Sequence, residues 1–480
     1  MQATSHAFKA NAHRALGNPD LQRAMGMMRT GFPAHRAKAI ARLPEFDALR
    51  DDGIAIKNHV LANLDFYLET FEKNVIAQGG EVHWCRNAAE ARETVLAICR
   101  AHDAKTVTKG KSMIGEEIAI NDFLEANAIT PVETDLGEYI VQIRHETPSH
   151  IIAPAVHLVK EQVAESFRDA HKDLPRERAL EEPRVLCDEA RAVLREKFLA
   201  ADVGITGANF LVAETGSSII VTNEGNGDLT QTLPKCHIVL ASLEKIVPTL
   251  EDASTLLRLL ARSATGQEFS TYTTVSTGPR RAGDSDGPEA YHVVLLDNGR
   301  TALLGGEFQD MLRCIRCAAC LNHCPVYAAI GGHAYGWVYS GPMGAVLTPT
   351  LIGIEEAGNL PNASTFCGRC ESVCPMRIPL PKMMRQWRER EFSKHLAPKA
   401  QRWGLALWAF LVQRPALYRL ASNAASRALA YFGGARGRFR SLPLASGWTD
   451  MRDMPAPQGK SFMTLWAERR GRAERSMTPP

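Results

Sequence analysis

Seven cysteines between positions 314 and 374 constrain this chain more than any other feature. The run Cys314-x2-Cys317-x2-Cys320-x3-Cys324-Pro325 has the spacing of a bacterial ferredoxin. Three thiolates two residues apart can curl round one face of a cubane and bind three of its irons. The fourth, carried away before a proline, ligates the other cluster of a pair. A second group follows, Cys367-x2-Cys370-x3-Cys374-Pro375. The same spacing would place its first cysteine at 364, where the chain has Ser364. Crossed ligation then predicts one cluster on Cys314, Cys317, Cys320 and Cys374, and another on Cys324, Cys367 and Cys370 with its fourth ligand unassigned. The expected cofactors are two [4Fe–4S] clusters, the second either with a non-cysteine ligand or as a [3Fe–4S] form. Zinc is the competing reading, but zinc sites favour two separated C-x2-C halves that close a tetrahedron. Arg313, Arg316, Arg369 and Arg377 flank the ligands, either to offset cluster charge or as plain surface residues.

The remaining cysteines, Cys85, Cys99, Cys187 and Cys236, are scattered. An odd, clustered count does not suit a disulfide framework and points to thiolate ligands in a reducing compartment, the cytoplasm. The N-terminal stretch carries no apolar h-region and no run of about 18 uncharged apolar residues exists, so neither a secretory signal nor a spanning helix is expected. The net charge of +3 on 480 residues argues against a nucleic-acid coat. That charge is unevenly spread. Residues 381–480 hold 19 Lys+Arg against 6 Asp+Glu, a net of +13, and the other 380 residues carry −10. This is either a solvated basic tail or a docking surface for an acidic partner or for anionic lipid at the inner face of the membrane.

Upstream of the cysteines, periodicity predicts four segments. Residues 1–78 read as helical, with one amphipathic helix over Ile54–Gln78. Residues 79–305 alternate strands (81–85, 105–110, 129–134, 150–155, 236–242, 291–299) with helices (87–102, 113–126, 255–262), the pattern of an α/β domain on a mostly parallel sheet. Within it, 160–200 is helical with breaks at Pro175 and Pro183, and 203–231 reads as close-set strands with tight turns. Residues 306–380 form the cysteine module, whose Gly- and aromatic-rich stretch 330–349 is expected to wrap something. Residues 381–480 form a basic region with two short helices around 403–409 and 416–431 and an irregular end.

No G-x-G-x-x-G or Walker-type motif follows a strand, so no nicotinamide, flavin or ATP site is supported. Three polar loops remain as candidates: Lys109–Met113, Glu133–Tyr139, and Glu214–Ser217 with Thr222–Asn226. Loops at the carboxyl ends of parallel strands are where ligands bind, although Ser, Thr, Asp and Gly also serve as caps and turns. Lys109 or Lys111 could hold an anion there, and Glu214 could act as a base.

KSMIGEEI (111–118), ETDLGEYI (133–140), AETGSSIIVTNEGN (213–226), LRCIRCAACLNHCPVY (312–327), IGGHAYG (330–336) and CESVCP (370–375) together resemble the lactate utilization protein B family, in order and along the whole chain. That resemblance implies a LUD domain similar in fold to ribose-5-phosphate isomerase and the CoA-transferases, then an α-helical two-cluster ferredoxin module and a basic helical tail. It also implies a subunit of a three-protein iron–sulfur system that oxidises L-lactate to pyruvate and supports growth on lactate. Ser364 departs from the eight-cysteine ferredoxin pattern. Three roles follow for the chain: an electron-transfer subunit passing electrons to an unspecified acceptor, a catalytic subunit binding the hydroxy acid through Lys109 or Lys111 with a carboxylate such as Glu214 as base, or a scaffold that docks partners.

Overall fold

The computed structural model describes residues 3–442, 446–449 and 452–476. The chain divides into two compact units, 1–391 and 392–480.

The first unit is built on ten strands: β1 Glu81–Cys85, β2 Thr106–Gly110, β3 Thr130–Glu133, β4 Val203–Gly207, β5 Phe210–Val212, β6 Ser217–Thr222, β7 Cys236–Ser242, β8 Ile246–Val247, β9 Tyr272–Ser276 and β10 Ala290–Leu296. Six of them make a sheet in the order β1-β10-β7-β4-β2-β3, with every pair parallel. β4 and β7 are buried at every residue, as central strands covered on both faces are, and their polar Thr206 and His237 bond to each other at 2.8 Å. Alternate residues of one strand serve the two faces. Ile238 and Leu240 pack with Val95, Leu96 and Leu124, while Val239 and Ala241 pack with Leu64, Leu68 and Phe71. The other four strands form a smaller sheet, β8-β5-β6-β9.

Several expectations need correction. The helix expected over Ile54–Gln78 is two, Phe46–Ala62 and Leu64–Ala77. They part at Asn63, whose amide donates to the His59 carbonyl at 2.8 Å while its own backbone leaves the helical region. The helix expected over 113–126 is likewise Met113–Glu117 and Ile120–Ala126, broken at Ala119 with φ +52°. Residues 150–155 form no strand, because the His150 ring accepts the N–H groups of Ile152 and Ala153 at 3.2 Å and Ser149 N–H closes on the Pro154 carbonyl. Pro183 starts the helix Pro183–Leu199 rather than interrupting one, which its missing N–H permits. The strand-rich reading of 203–231 ends early, since Asn226–Thr232 is a helix, and β9 was not anticipated.

The N-terminal helices do not merely lead in. Met25, Met28, Phe46 and Leu49 share one core with Leu256 and Leu259 of the helix Leu250–Ala264 and with Leu321, Tyr327 and Tyr335 of the cysteine segment. The Gly- and aromatic-rich stretch contributes Tyr335, Tyr339 and the helix Gly341–Ile352 to that core, and the Gly336 carbonyl accepts from Thr4 N–H at 2.7 Å.

The second unit holds the helices Lys399–Val412 and Pro415–Gly433, as expected, and also Phe462–Ser476, where an irregular end was expected. Trp403, Trp408, Tyr431 and Phe432 are exposed. Among the described residues no helix is long and apolar enough to cross a membrane.

Candidate functional site

Left-handed backbone at Arg316 (φ +59°) and Ala318 (φ +59°) doubles the chain back between Cys314 and Cys320. Gly368 (φ +77°) turns the second group in the same way. As a result Cys314, Cys317, Cys320 and Cys374 line one dry cavity, walled by apolar side chains such as Ile151, Met311, Met343 and Ile378. Cys324 caps the helix Pro325–Ile330, its sulfur accepting from Tyr327 N–H at 3.5 Å. Its charge partner is Cys367, and Cys370 has Cys324 and Cys367 as charge partners. The seven thiols therefore fall into a set of four and a set of three.

Burial pushes Cys370 up to about 12 and Cys374 up to about 11, so free thiols there stay protonated at neutral pH. Soft, convergent donors in a dry cavity that must shed protons to bind suit iron–sulfur clusters. Tyr335 adds a second indication. Its hydroxyl is fully buried without a hydrogen-bond partner, and burial, then Cys324, Tyr327, Cys320 and Cys370, suppress its ionisation. An orphaned donor next to both thiol sets fits a sulfur acceptor. Ser364 is half-buried and its hydroxyl oxygen accepts from Phe366 N–H at 3.1 Å. Cys85, Cys99 and Cys236 lie in the core of the main sheet, and Cys187 is exposed on the helix Pro183–Leu199.

Of the flanking arginines, Arg316 is largely buried and charge-coupled to Cys314. Arg313 bonds to Asn58 at 3.0 Å, Arg377 pairs with Asp51, and Arg369 is exposed. The sequence did not single out Arg36 and Arg50 from the N-terminal helices. They donate to the carbonyls of Val373 and Cys374 at 2.8 and 2.7 Å.

A second cavity, of about 160 Å³, lies where the loops after β2, β3, β4 and β7 meet the cysteine segment. Lys111, Asp135, Asn209, Lys245, Arg316 and Tyr339 are on its walls. Gly207 lets the loop after β4 approach, since a Cβ there would lie 2.3 Å from the Lys111 carbonyl oxygen. Lys109 does not reach the cavity, being buried against Glu116 and Glu133 at 2.7 Å each. Lys111 lines it but is paired with Asp135 and, at 3.5 Å, with Glu224. Glu214 is elsewhere, accepting from Leu250 N–H at 2.7 Å, so Lys111 and Glu214 do not share a site. Ser112 and Asp135 cap short helices. The residue missed altogether is Lys245. It is 8% exposed and makes no hydrogen bond or ion pair among the described residues. Its position just past the buried strand β7 was the available signal.

Behind this cavity runs a buried charge network. Arg300 forks onto Glu117 at 2.6 and 3.0 Å and reaches Glu244 at 3.1 Å. Arg316 binds Glu244 at 3.1 Å and lies over the Tyr339 ring, and Tyr339 donates to Glu117 at 2.7 Å. Lys57 donates to the Glu244 carbonyl. Sheet loops and cysteine segment are thereby joined through ions rather than through apolar contact alone.

Comparison with known proteins agrees with this organisation. The LUD domain family matches residues 68–296, the 4Fe-4S dicluster domain 310–378, and the C-terminal region of lactate utilisation protein B 369–471. Lactate utilization protein B of Bacillus licheniformis is 42% identical over 98% of both chains. The chain belongs to the lactate utilization protein B family. The Bacillus subtilis strain 168 member is 41% identical over 98% of both chains. A protein of Escherichia coli K12 described as "Uncharacterized electron transport protein YkgF" is 39% identical over 98% of both. A solved DUF162-family structure from Deinococcus radiodurans aligns at a TM-score of 0.26 with 13% identity, over 48% of this chain and 98% of that one. In this family member the LUD match begins inside the helix Leu64–Ala77, which packs on the main sheet. The dicluster match covers all seven clustered cysteines.

Proposed function

We propose that the chain is the iron–sulfur electron-transfer subunit of a multi-protein system that oxidises L-lactate to pyruvate. In this reading Cys314, Cys317, Cys320 and Cys374 hold one cluster. Cys324, Cys367 and Cys370 hold the other, whose fourth ligand is not cysteine. When bound, the clusters supply one-electron transfer. The observation that carries the reading is the packing of six of the seven thiols in one module, with Cys367 exposed at its edge and Tyr335 coupled to both sets. The family's lactate utilization name supports the substrate, its letter B supports further components, and the E. coli relative's description supports electron transport. The α/β domain, on its parallel sheet, is read as a ribose-5-phosphate isomerase or CoA-transferase-like fold spanning about 79–305.

The chain's own residues give the clusters a dry cavity, with Arg316 beside Cys314 and Arg36 charge-coupled to Cys317. Clustered thiols favour the cytoplasm. The basic second unit, with Trp403, Trp408 and Tyr431 exposed, favours docking on an acidic partner or on the inner membrane face.

The test is electron paramagnetic resonance on anaerobic protein, alone and with the components that copurify from lactate-grown cells. L-lactate should reduce the clusters only when those components are present. Lactate-dependent reduction of an artificial acceptor by this chain alone would overturn the reading in favour of a catalytic subunit.

A further inference from the structure

The cavity at the carboxyl ends of β2, β3, β4 and β7 holds a cation that makes no direct bond to a negative group among the described residues. Lys245 is more than nine-tenths buried, lines the cavity and is bonded to no neighbour among the described residues. Glu244 and Cys314 offset its charge without bonding to it, and a buried ammonium with no direct partner gains from a ligand that supplies one. Thr222, also on the wall and 4% exposed, has a hydroxyl with no partner.

The walls specify the ligand. An uncommitted cation calls for an anion. Lys111 is already neutralised by Asp135 and Glu224, and Arg316 by Glu244. Asp135 and Glu138 on the same wall oppose a second negative charge, so a monoanion fits better than a phosphate dianion. The volume of about 160 Å³ is well below the roughly 300–1,000 Å³ of pockets for drug-sized ligands, which limits the ligand to a few heavy atoms. Leu240, Leu260 and Ala264 offer an apolar face for a methyl group.

We propose that this cavity binds a small α-hydroxy or α-oxo monocarboxylate, with its carboxylate on Lys245 and its α-oxygen within reach of Thr222. The choice of L-lactate and pyruvate among such acids rests on the function proposed above. The site adjoins the four-thiol set, because Arg316 and Ile151 stand in the walls of both cavities. The bound acid would thus lie against the protein layer that separates it from Cys314.

Calorimetric titration of the anaerobic full-length chain with L-lactate, pyruvate and inorganic phosphate tests this. One or both organic acids should bind, and phosphate should bind more weakly. Lys245→Gln should weaken the organic acid about ten- to a hundredfold, the range for losing a hydrogen bond to a charged group. Without ligand, Lys245→Gln should keep the fold and melt close to the wild type, since no hydrogen bond or ion pair is lost with the charge. Ala264→Leu, which fills the cavity and leaves Lys245 untouched, should abolish binding as well. Equal affinity in wild type and Lys245→Gln, tighter binding of phosphate, or no binding of either acid would overturn the proposal. Cluster reduction by lactate in the assembled system with no binding to this chain would sink the site and spare the electron-transfer role. Binding without any such reduction would do the reverse.

Discussion

Replacing Arg300 with methionine should expose what holds the α/β domain and the cysteine segment together. Arg300 is 1% exposed and forks onto Glu117, whose side chain is wholly buried, at 2.6 and 3.0 Å. Methionine has similar bulk and no charge. Glu244 keeps Arg316 at 3.1 Å, but among the described residues Glu117 loses its one cation and retains Tyr339 and Asn298 as donors, at 2.7 and 2.8 Å. Breaking a buried pair by removing one partner costs about 3–5 kcal/mol. The two surviving donors place Arg300→Met at the lower end. If residues 1–391 melt as one unit, an unfolding entropy of about 2.1 cal/mol/K per residue gives roughly 0.8 kcal/mol/K, so a loss of about 3 kcal/mol is a fall in Tm of about 4 °C. Differential scanning calorimetry on anaerobic protein reads it directly. Adding Glu117→Gln removes the stranded charge and should recover part of the loss, a positive coupling in the double-mutant cycle. A shift below 1 °C for Arg300→Met, or simple additivity of the two substitutions, would refute the view that this ion pair is a structural joint.

Three further predictions concern the clusters and pH. Tyr335→Phe removes a hydroxyl that has no partner among the described residues, and the reduction potential of one cluster should become more negative through loss of a donor to sulfur; unchanged potentials in both would mean that the hydroxyl faces no cluster. Air-exposed wild type should show a [3Fe–4S] resonance that Ser364→Cys suppresses, whereas eight irons per chain persisting in air would reveal a fourth ligand other than those considered. Burial holds His237 down at about 3 and, against a hydrogen bond with Asn322, His150 at about 4. Folded-state values below the unfolded 6.5 mean stability is complete above pH 6.5 and declines as pH falls, by up to about 1.4 kcal/mol per unit for each histidine; urea titrations at pH 7.5 and 5.5 should show this, and His237→Asn should flatten the slope.

What the sequence disclosed follows the range of the interactions involved. The cysteine module was legible because cluster chemistry imposes a spacing within a few residues, and the parallel strands because runs such as Cys236–Ser242 are mostly apolar. Breaks set by one side chain were not legible. Asn63 and His150 each divert the backbone through a local hydrogen bond that propensity does not weigh. The cavity was legible only as loops: Lys111 was noticed for its strand–loop–helix setting, yet it is spent on Asp135, and Glu214 proved to serve the helix starting at Leu250. Lys245 was passed over because its one local signal, a place just past β7, is shared by many loop residues. Its meaning depends on Arg316 and Tyr339, more than 70 residues away in the chain.

The seam between sheet and cysteine segment carries an imbalance that links these observations. Lys57, Lys245, Arg300 and Arg316 are largely or wholly buried there, against two carboxylates, Glu117 and Glu244. Surplus buried positive charge is destabilising unless something negative lies close by. The Cys314 thiol is a charge partner of Lys57, Lys245 and Arg316 alike. A cluster held by four thiolates is a negative body at that point, and a carboxylate on Lys245 would be a second. The surplus cations therefore suit a seam completed by two anions, one resident and one exchangeable. Binding of the exchangeable one alters the field at the resident one, because Arg316 stands between their cavities. If both anions bind as proposed, acid occupancy and the potential of the first cluster would be coupled, equally in both directions.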